Sequence, residues 1–85
     1  MSSVQSRIKT IAREYVQGER SLDECSIPGI KWSSLRRVLL VSKRCYDKKI
    51  KGNFTPYDLL EKRRAASRFW LETGQKWPKL EALDG

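Results

Sequence analysis

Residues 32–52 have the sequence WSSLRRVLLVSKRCYDKKIKG, in which apolar side chains recur every three or four positions. The stripe at helical spacing consists of Trp32, Leu35, Leu39, Ser42, Tyr46 and Ile50, with Val38, Val41 and Cys45 beside it. This pattern predicts a helix over about residues 31–51, ended by the pair Gly52-Asn53. Because its first three turns are apolar over more than half of the circumference, we expect this helix to lie at the centre of the fold.

The segment that follows has the clearest helix start in the chain. Thr55 is a favourable N-cap residue, and Pro56 suits the first helical position. Asp58 lies three residues after the cap, where the helix macrodipole favours a carboxylate. These signals predict a helix over residues 56–73, ended by a glycine.

The rest of the chain predicts one further helix and several short elements. A third amphipathic pattern predicts a helix over residues 3–17, and its apolar positions are Val4, Ile8, Ile11, Ala12 and Tyr15. Ser21 and Glu24 have the spacing of a capping box, which predicts a short helical turn. Near the C-terminus, Trp77, Leu80 and Leu83 are apolar enough to dock against the core, in a short turn or an extended segment.

No segment rich in Val, Ile and Thr alternates with period two, so no sheet is predicted. The sequence therefore predicts an all-α fold, a small helical bundle of three main helices plus short helical turns. At 85 residues, the chain is expected to form a single helical domain over residues 1–85.

The composition argues against enzymatic chemistry. The chain has no histidine and two cysteines, which rules out Ser-His and Cys-His nucleophile pairs and any histidine-containing metal site. We therefore expect no catalytic residue, no metal, no cofactor and no small-molecule substrate. Cys25 and Cys45 are expected to be buried, reduced thiols.

Nothing in the sequence predicts membrane insertion or export. The longest apolar run is four residues, from Val38 to Val41, and the N-terminal residues have no apolar signal region. The expected localisation is intracellular, in the cytoplasm or the nucleus.

The charge is the most informative feature of the composition. The net charge is +8, and the segment from Lys31 to Arg68 holds twelve basic residues and only three acidic ones. A field concentrated in this way attracts polyanions, which include nucleic acid, an acidic protein and an anionic membrane.

The candidate binding residues lie on the second and third helices. Arg37, Arg44, Lys48 and Lys51 fall on one helical stripe, which spans about 21 Å at 1.5 Å per residue. The complete set of predicted phosphate contacts is Arg36, Arg37, Lys43, Arg44, Lys48, Lys51, Arg63, Arg64 and Arg68. Asp47 is the only carboxylate between Lys31 and Lys51, so we expect this stripe to lack acidic partners.

The favoured function is therefore non-enzymatic binding of nucleic acid through phosphates, with RNA ahead of DNA. The third helix has no Asn or Gln to read adenine, which disfavours sequence-specific recognition, whereas A-form RNA can be gripped by its shape and phosphates. Self-association as a homodimer is also expected, because the stripe from Trp32 to Ile50 is wider than two short helices can cover. Size, basicity and the lack of catalytic groups resemble those of viral or phage accessory and regulatory proteins, a likeness of composition alone.

Two other functions stay open. In the first, the chain is a protein-interaction adaptor or inhibitor whose basic face docks an acidic partner, with Trp70 or Trp77 as the anchor. In the second it is a matrix-like protein at a membrane surface, which is disfavoured because no lipid anchor is predicted. Among the aromatic residues, Trp32, Phe69 and Trp70 are expected in the core and Tyr57 on the surface.

Overall fold

A computed structural model describes residues 3–84 and confirms the all-α prediction. The three helices are α1 (Val4–Val16), α2 (Trp32–Lys51) and α3 (Pro56–Thr73), and two short 3-10 turns span Leu22–Glu24 and Leu80–Leu83. Within residues 3–84 no strand is present. The sequence placed the ends of α1 and α2 within one residue and both ends of α3 at the observed positions.

The helix ends form as their local chemistry requires. The Ser3 side chain accepts a hydrogen bond from the Ser6 amide and caps α1. At the end of α2, Gly52 has a φ of 79°, a left-handed conformation that glycine adopts without steric cost. Thr55 and Asp58 cap α3 reciprocally, since each side chain accepts from the other residue's backbone amide.

α2 is the central helix, as predicted, with α1 packed on one side and α3 on the other. α2 and α3 run antiparallel, because residues near the end of α2 pair with the start of α3 and Arg37 pairs with Glu72. Gly52–Thr55 form the short connection between them. We refer to α2, α3 and this connection as the α2–α3 hairpin.

The C-terminal segment, residues 75–84, completes the core. Trp77, Leu80 and Leu83 are all buried, which confirms that this segment docks. The Trp77 indole N–H donates to Ser42 Oγ of α2 at 2.8 Å, and its ring meets Phe69 of α3 edge to face. The segment therefore contacts both helices of the hairpin through Trp77, and it contacts α1 through Leu80–Leu83.

Two predictions about the apolar residues were wrong. Trp32 is 37% exposed and Trp70 is 55% exposed, so only Phe69 of the three expected core aromatics is buried. The large ring packed against Phe69 in the core is that of Trp77, from the C-terminal segment, rather than that of Trp70. Tyr57, at 70% exposed, lies on the surface as predicted.

The argument for self-association from the width of the α2 stripe is not supported. The middle of that stripe is buried within a single chain, at Leu35, Leu39, Ser42 and Tyr46. Only the two ends of the stripe, Trp32 and Ile50, are exposed. α1 and the C-terminal segment cover the part of the apolar α2 stripe that two helices alone would leave exposed. A homodimer therefore stays a prediction that the width of the stripe does not support.

Candidate functional site

The cations of α2 that face α3 are paired with carboxylates of that helix. Arg37 pairs with Glu72 at 3.0 Å, and Arg44 pairs with Glu61 farther along the same boundary. The expectation that this stripe lacks acidic partners was therefore wrong. It counted carboxylates along α2 alone, whereas the antiparallel α3 brings its own across the hairpin.

The third pair of this series is the most buried one. Lys48 Nζ donates to Asp58 Oδ1 at 2.9 Å, and the Asp58 side chain is only 3% exposed. The hydrogen bond from Lys48, followed by those from the Thr55 hydroxyl and amide, lowers the pKa of Asp58 to about 2. Asp58 thus serves both as the cap of α3 and as the counter-ion of Lys48.

Four of the predicted phosphate contacts meet in one shallow depression of about 380 Å³ on α2. They are Lys43, Arg44, Lys48 and Lys51, and the depression is completed by Tyr15 of α1 and by Leu40 and Asp47 of α2. Among residues 3–84, Asp47 is the only carboxylate that lines it, and its Oδ2 lies 4.0 Å from the Lys43 ammonium. We call this feature the cationic depression.

The position of Lys43 within the cationic depression is set by an aromatic ring. Its ammonium lies 5.7 Å from the centre of the Tyr15 ring, within the range of a cation–π interaction. Tyr15 itself is buried, so the ring holds the lysine against α1. The role of Tyr15 was missed from sequence, because its position on the apolar face of α1 only indicated a core residue.

The other five predicted residues lie outside the depression. Arg37 lies on the boundary with α3, and Arg68 shares the same carboxylate, Glu72, at 3.5 Å. Arg36 and Arg64 are exposed, and Arg63 lines a separate groove on the other side of α3. Within residues 3–84, four members of the predicted set form no ion pair: Arg36, Lys51, Arg63 and Arg64.

Ion pairing does not neutralise the hairpin. Residues 31–73 contain twelve basic and four acidic side chains, so they carry a net charge of +8, equal to that of the whole chain. The remaining segments are neutral in sum. The ion pairs position individual cationic side chains, and the net positive charge remains on the α2–α3 hairpin.

One functional candidate on α3 was overlooked. Lys62 belongs to the same helical face as Asp58 and Phe69, and it is buried with 6% exposure. Its place in a run of three consecutive basic residues masked this inward position. Lys62 lies four residues after Asp58 and seven before Phe69, a spacing that places all three on one helical face and would have identified it as inward-facing.

The described part of the chain contains no helix that is long and apolar enough to cross a membrane. Among residues 3–84, no three side chains of the metal-ligating types Cys, Asp and Glu come together as a candidate metal site. No protein-family model, curated protein or solved structure matches this chain.

Proposed function

We propose that this chain binds nucleic acid, RNA ahead of DNA, by contacting phosphates with the cationic side of the α2–α3 hairpin. The observation that carries the proposal is the cationic depression, where four basic side chains converge with one carboxylate. The function is non-enzymatic, and the hairpin supplies position and charge rather than reactive groups.

The arrangement of the cations supports contact with a phosphate backbone. Lys43 to Lys51 are on successive turns of α2 and span about 12 Å along the helix axis, at 1.5 Å per residue. Lys43 is held by Tyr15 and Asp47, and Arg44 by Glu61, so these cations are ordered before a ligand arrives. A guanidinium has five N–H donors, so a paired arginine retains donors for a phosphate oxygen.

Two exposed cations of the hairpin that are not held in ion pairs within the described residues, Lys51 and Arg64, extend the contact. Lys51 at the end of α2 and Arg64 on the exposed face of α3 form no ion pair with a carboxylate of residues 3–84. Each such side chain that reaches a phosphate releases a condensed counterion, which makes binding steeply dependent on salt. α3 has no Asn or Gln to read adenine, which favours recognition of backbone shape over base sequence.

The test is a salt titration of binding to duplex RNA, duplex DNA and single strands of matched length. Lys51→Ala and Arg64→Ala should each weaken binding equally for unrelated sequences and reduce the log K against log salt slope by about one unit. Lys9→Ala, which removes an exposed lysine from α1, is the matched control and should change the slope little. If all three variants behave alike, the hairpin is not the binding surface.

A second candidate function is docking of an acidic protein, which the exposed face of α3 favours. Tyr57, Leu60, Trp70 and Leu71 are all exposed there, from 46% to 83%, beside exposed arginines. Of the two tryptophans considered as anchors, Trp77 is buried, so only Trp70 is accessible to a partner. Absence of binding to all three nucleic acids at low salt would favour this function over the first.

A further inference from the structure

A second concavity, of about 690 Å³, lies between α3 and the C-terminal segment. Its floor is apolar and is formed by Phe54, Leu59, Trp77 and Leu80. None of the four cations of the cationic depression lines it. We call it the C-terminal groove, and its size and apolar floor are those of small-molecule sites.

The wall of the C-terminal groove contains a buried ammonium group. Lys62 is 6% exposed, and its Nζ donates to the Pro78 carbonyl oxygen at 3.1 Å. An ammonium has three N–H donors, and a carbonyl oxygen does not neutralise its charge. Loss of solvent on burial lowers the pKa of Lys62, while the charge of nearby Glu81 opposes that change.

Buried charges are ordinarily paired with a counter-ion, and the described part of the chain supplies none to Lys62. Within residues 3–84, no carboxylate lies within ion-pair distance of its Nζ, including Glu81 in the same groove. Three further cations line the groove: Lys49, Arg63 and Lys79. Lys49 is paired with Asp84 at 3.1 Å, whereas Arg63 and Lys79 form no ion pair in this part of the chain. The groove therefore combines an apolar floor with unneutralised positive charge.

We propose that the C-terminal groove binds a small amphipathic monoanion, an apolar chain or ring that carries one carboxylate. The carboxylate replaces the missing counter-ion between Lys62 and Arg63, and the apolar body covers Phe54 and Trp77. Glu81 places one negative charge at the same groove, which disfavours a ligand with two. This site is independent of the proposed nucleic-acid surface and goes beyond it.

The experiment uses decanoate as the probe, below its micelle concentration, with decan-1-ol as the uncharged control. Binding is followed by calorimetry and by the indole N–H signals of the three tryptophans in ¹H–¹⁵N NMR spectra. Decanoate should shift the Trp77 signal and leave those of Trp32 and Trp70 in place, because only Trp77 lines the groove. Decan-1-ol should bind at least tenfold more weakly.

Three variants separate recognition from stability. Arg63→Gln, on an exposed side chain, should weaken decanoate binding severalfold, whereas Lys76→Gln, an exposed lysine outside the groove, should not. Lys62→Met keeps the side-chain volume and should remove the preference for decanoate over decan-1-ol. If Lys62→Met fails to fold, Arg63→Gln decides the question alone.

The proposal is overturned if decanoate and decan-1-ol bind equally, or if decanoate binds without moving the Trp77 signal. It is also overturned if Arg63→Gln and Lys76→Gln have the same affinity as the unmodified chain. Absence of nucleic-acid binding by the unmodified chain, with decanoate binding intact, would overturn the proposed function and leave the groove assignment standing.

Discussion

Ser42→Ala tests how firmly the C-terminal segment is joined to α2. The Ser42 hydroxyl accepts the Trp77 indole N–H at 2.8 Å, and the two residues are 0% and 8% exposed. Removing the hydroxyl leaves the indole donor in the core without an acceptor, since water does not reach it. We expect the free energy of unfolding to fall.

The size of that loss follows from two opposing effects. An unsatisfied buried donor costs about 1–3 kcal/mol, while replacing serine by alanine inside a helix gains up to about 0.7 kcal/mol. The net destabilisation is therefore about 0.3–3 kcal/mol. In a domain of this size, each kcal/mol lowers Tm by about 4–8 °C.

Urea or thermal unfolding measures the effect, with Ser67→Ala as the matched control. Ser67 is an exposed residue inside α3, so its replacement gives the helix-propensity gain without loss of a buried hydrogen bond. Trp77→Phe, alone and combined with Ser42→Ala, completes a double-mutant cycle with a coupling of about 0.5–1.5 kcal/mol. If Ser42→Ala is as stable as Ser67→Ala, the indole hydrogen bond does not contribute and the reasoning fails.

Three further predictions concern single groups of the fold. Because the pKa of Asp58 is lowered to about 2, the contribution of its ionised form to the free energy of unfolding is complete above about pH 4 and is lost as the pH falls toward 2. Over that range Asp58→Asn should lose less unfolding free energy than the unmodified chain. An unchanged pH profile would contradict this prediction. Gly52→Ala should lower stability by about 1 kcal/mol in urea unfolding, through its φ of 79°. Among residues 3–84, apart from the chain neighbours of Gly52, no atom lies within 4 Å of the added Cβ, so a neutral result would exclude that conformation. Burial raises the pKa of the Cys25 and Cys45 thiols, so a thiol reagent should titrate two groups only after unfolding, and rapid reaction in the native state would refute their burial.

Local signals predicted the helices of this chain accurately. Thr55, Pro56 and Asp58 determine the start of α3 through interactions within four residues, so the sequence contains all the information needed. The same holds for Gly52, whose left-handed conformation ends α2. The docking of Trp77 was also predictable, because an apolar segment of this kind gains more from burial than from exposure.

Contacts between distant residues were not predictable in the same way. The pairing of Arg37 with Glu72 depends on the antiparallel direction and register of α3, which no local pattern specifies. The choice of Trp77 over Trp70 as the partner of Phe69 depends on where the C-terminal segment crosses the hairpin. The sequence therefore predicted which basic residues belong to the candidate site. Their ion pairs, and the separation of the cationic depression from the C-terminal groove, required the structure.

The ion pairs across the hairpin also determine where the chain tolerates a change of length. One residue inserted near the middle of α2 rotates everything after it by about 100°, which turns Arg44 and Lys48 away from Glu61 and Asp58 while Arg37 stays in place. The same residue inserted in the connection next to exposed Asn53 leaves both helices in phase. We therefore expect insertions to be tolerated in the turn and at the far ends of the two helices, and to be destabilising between Arg37 and Lys48.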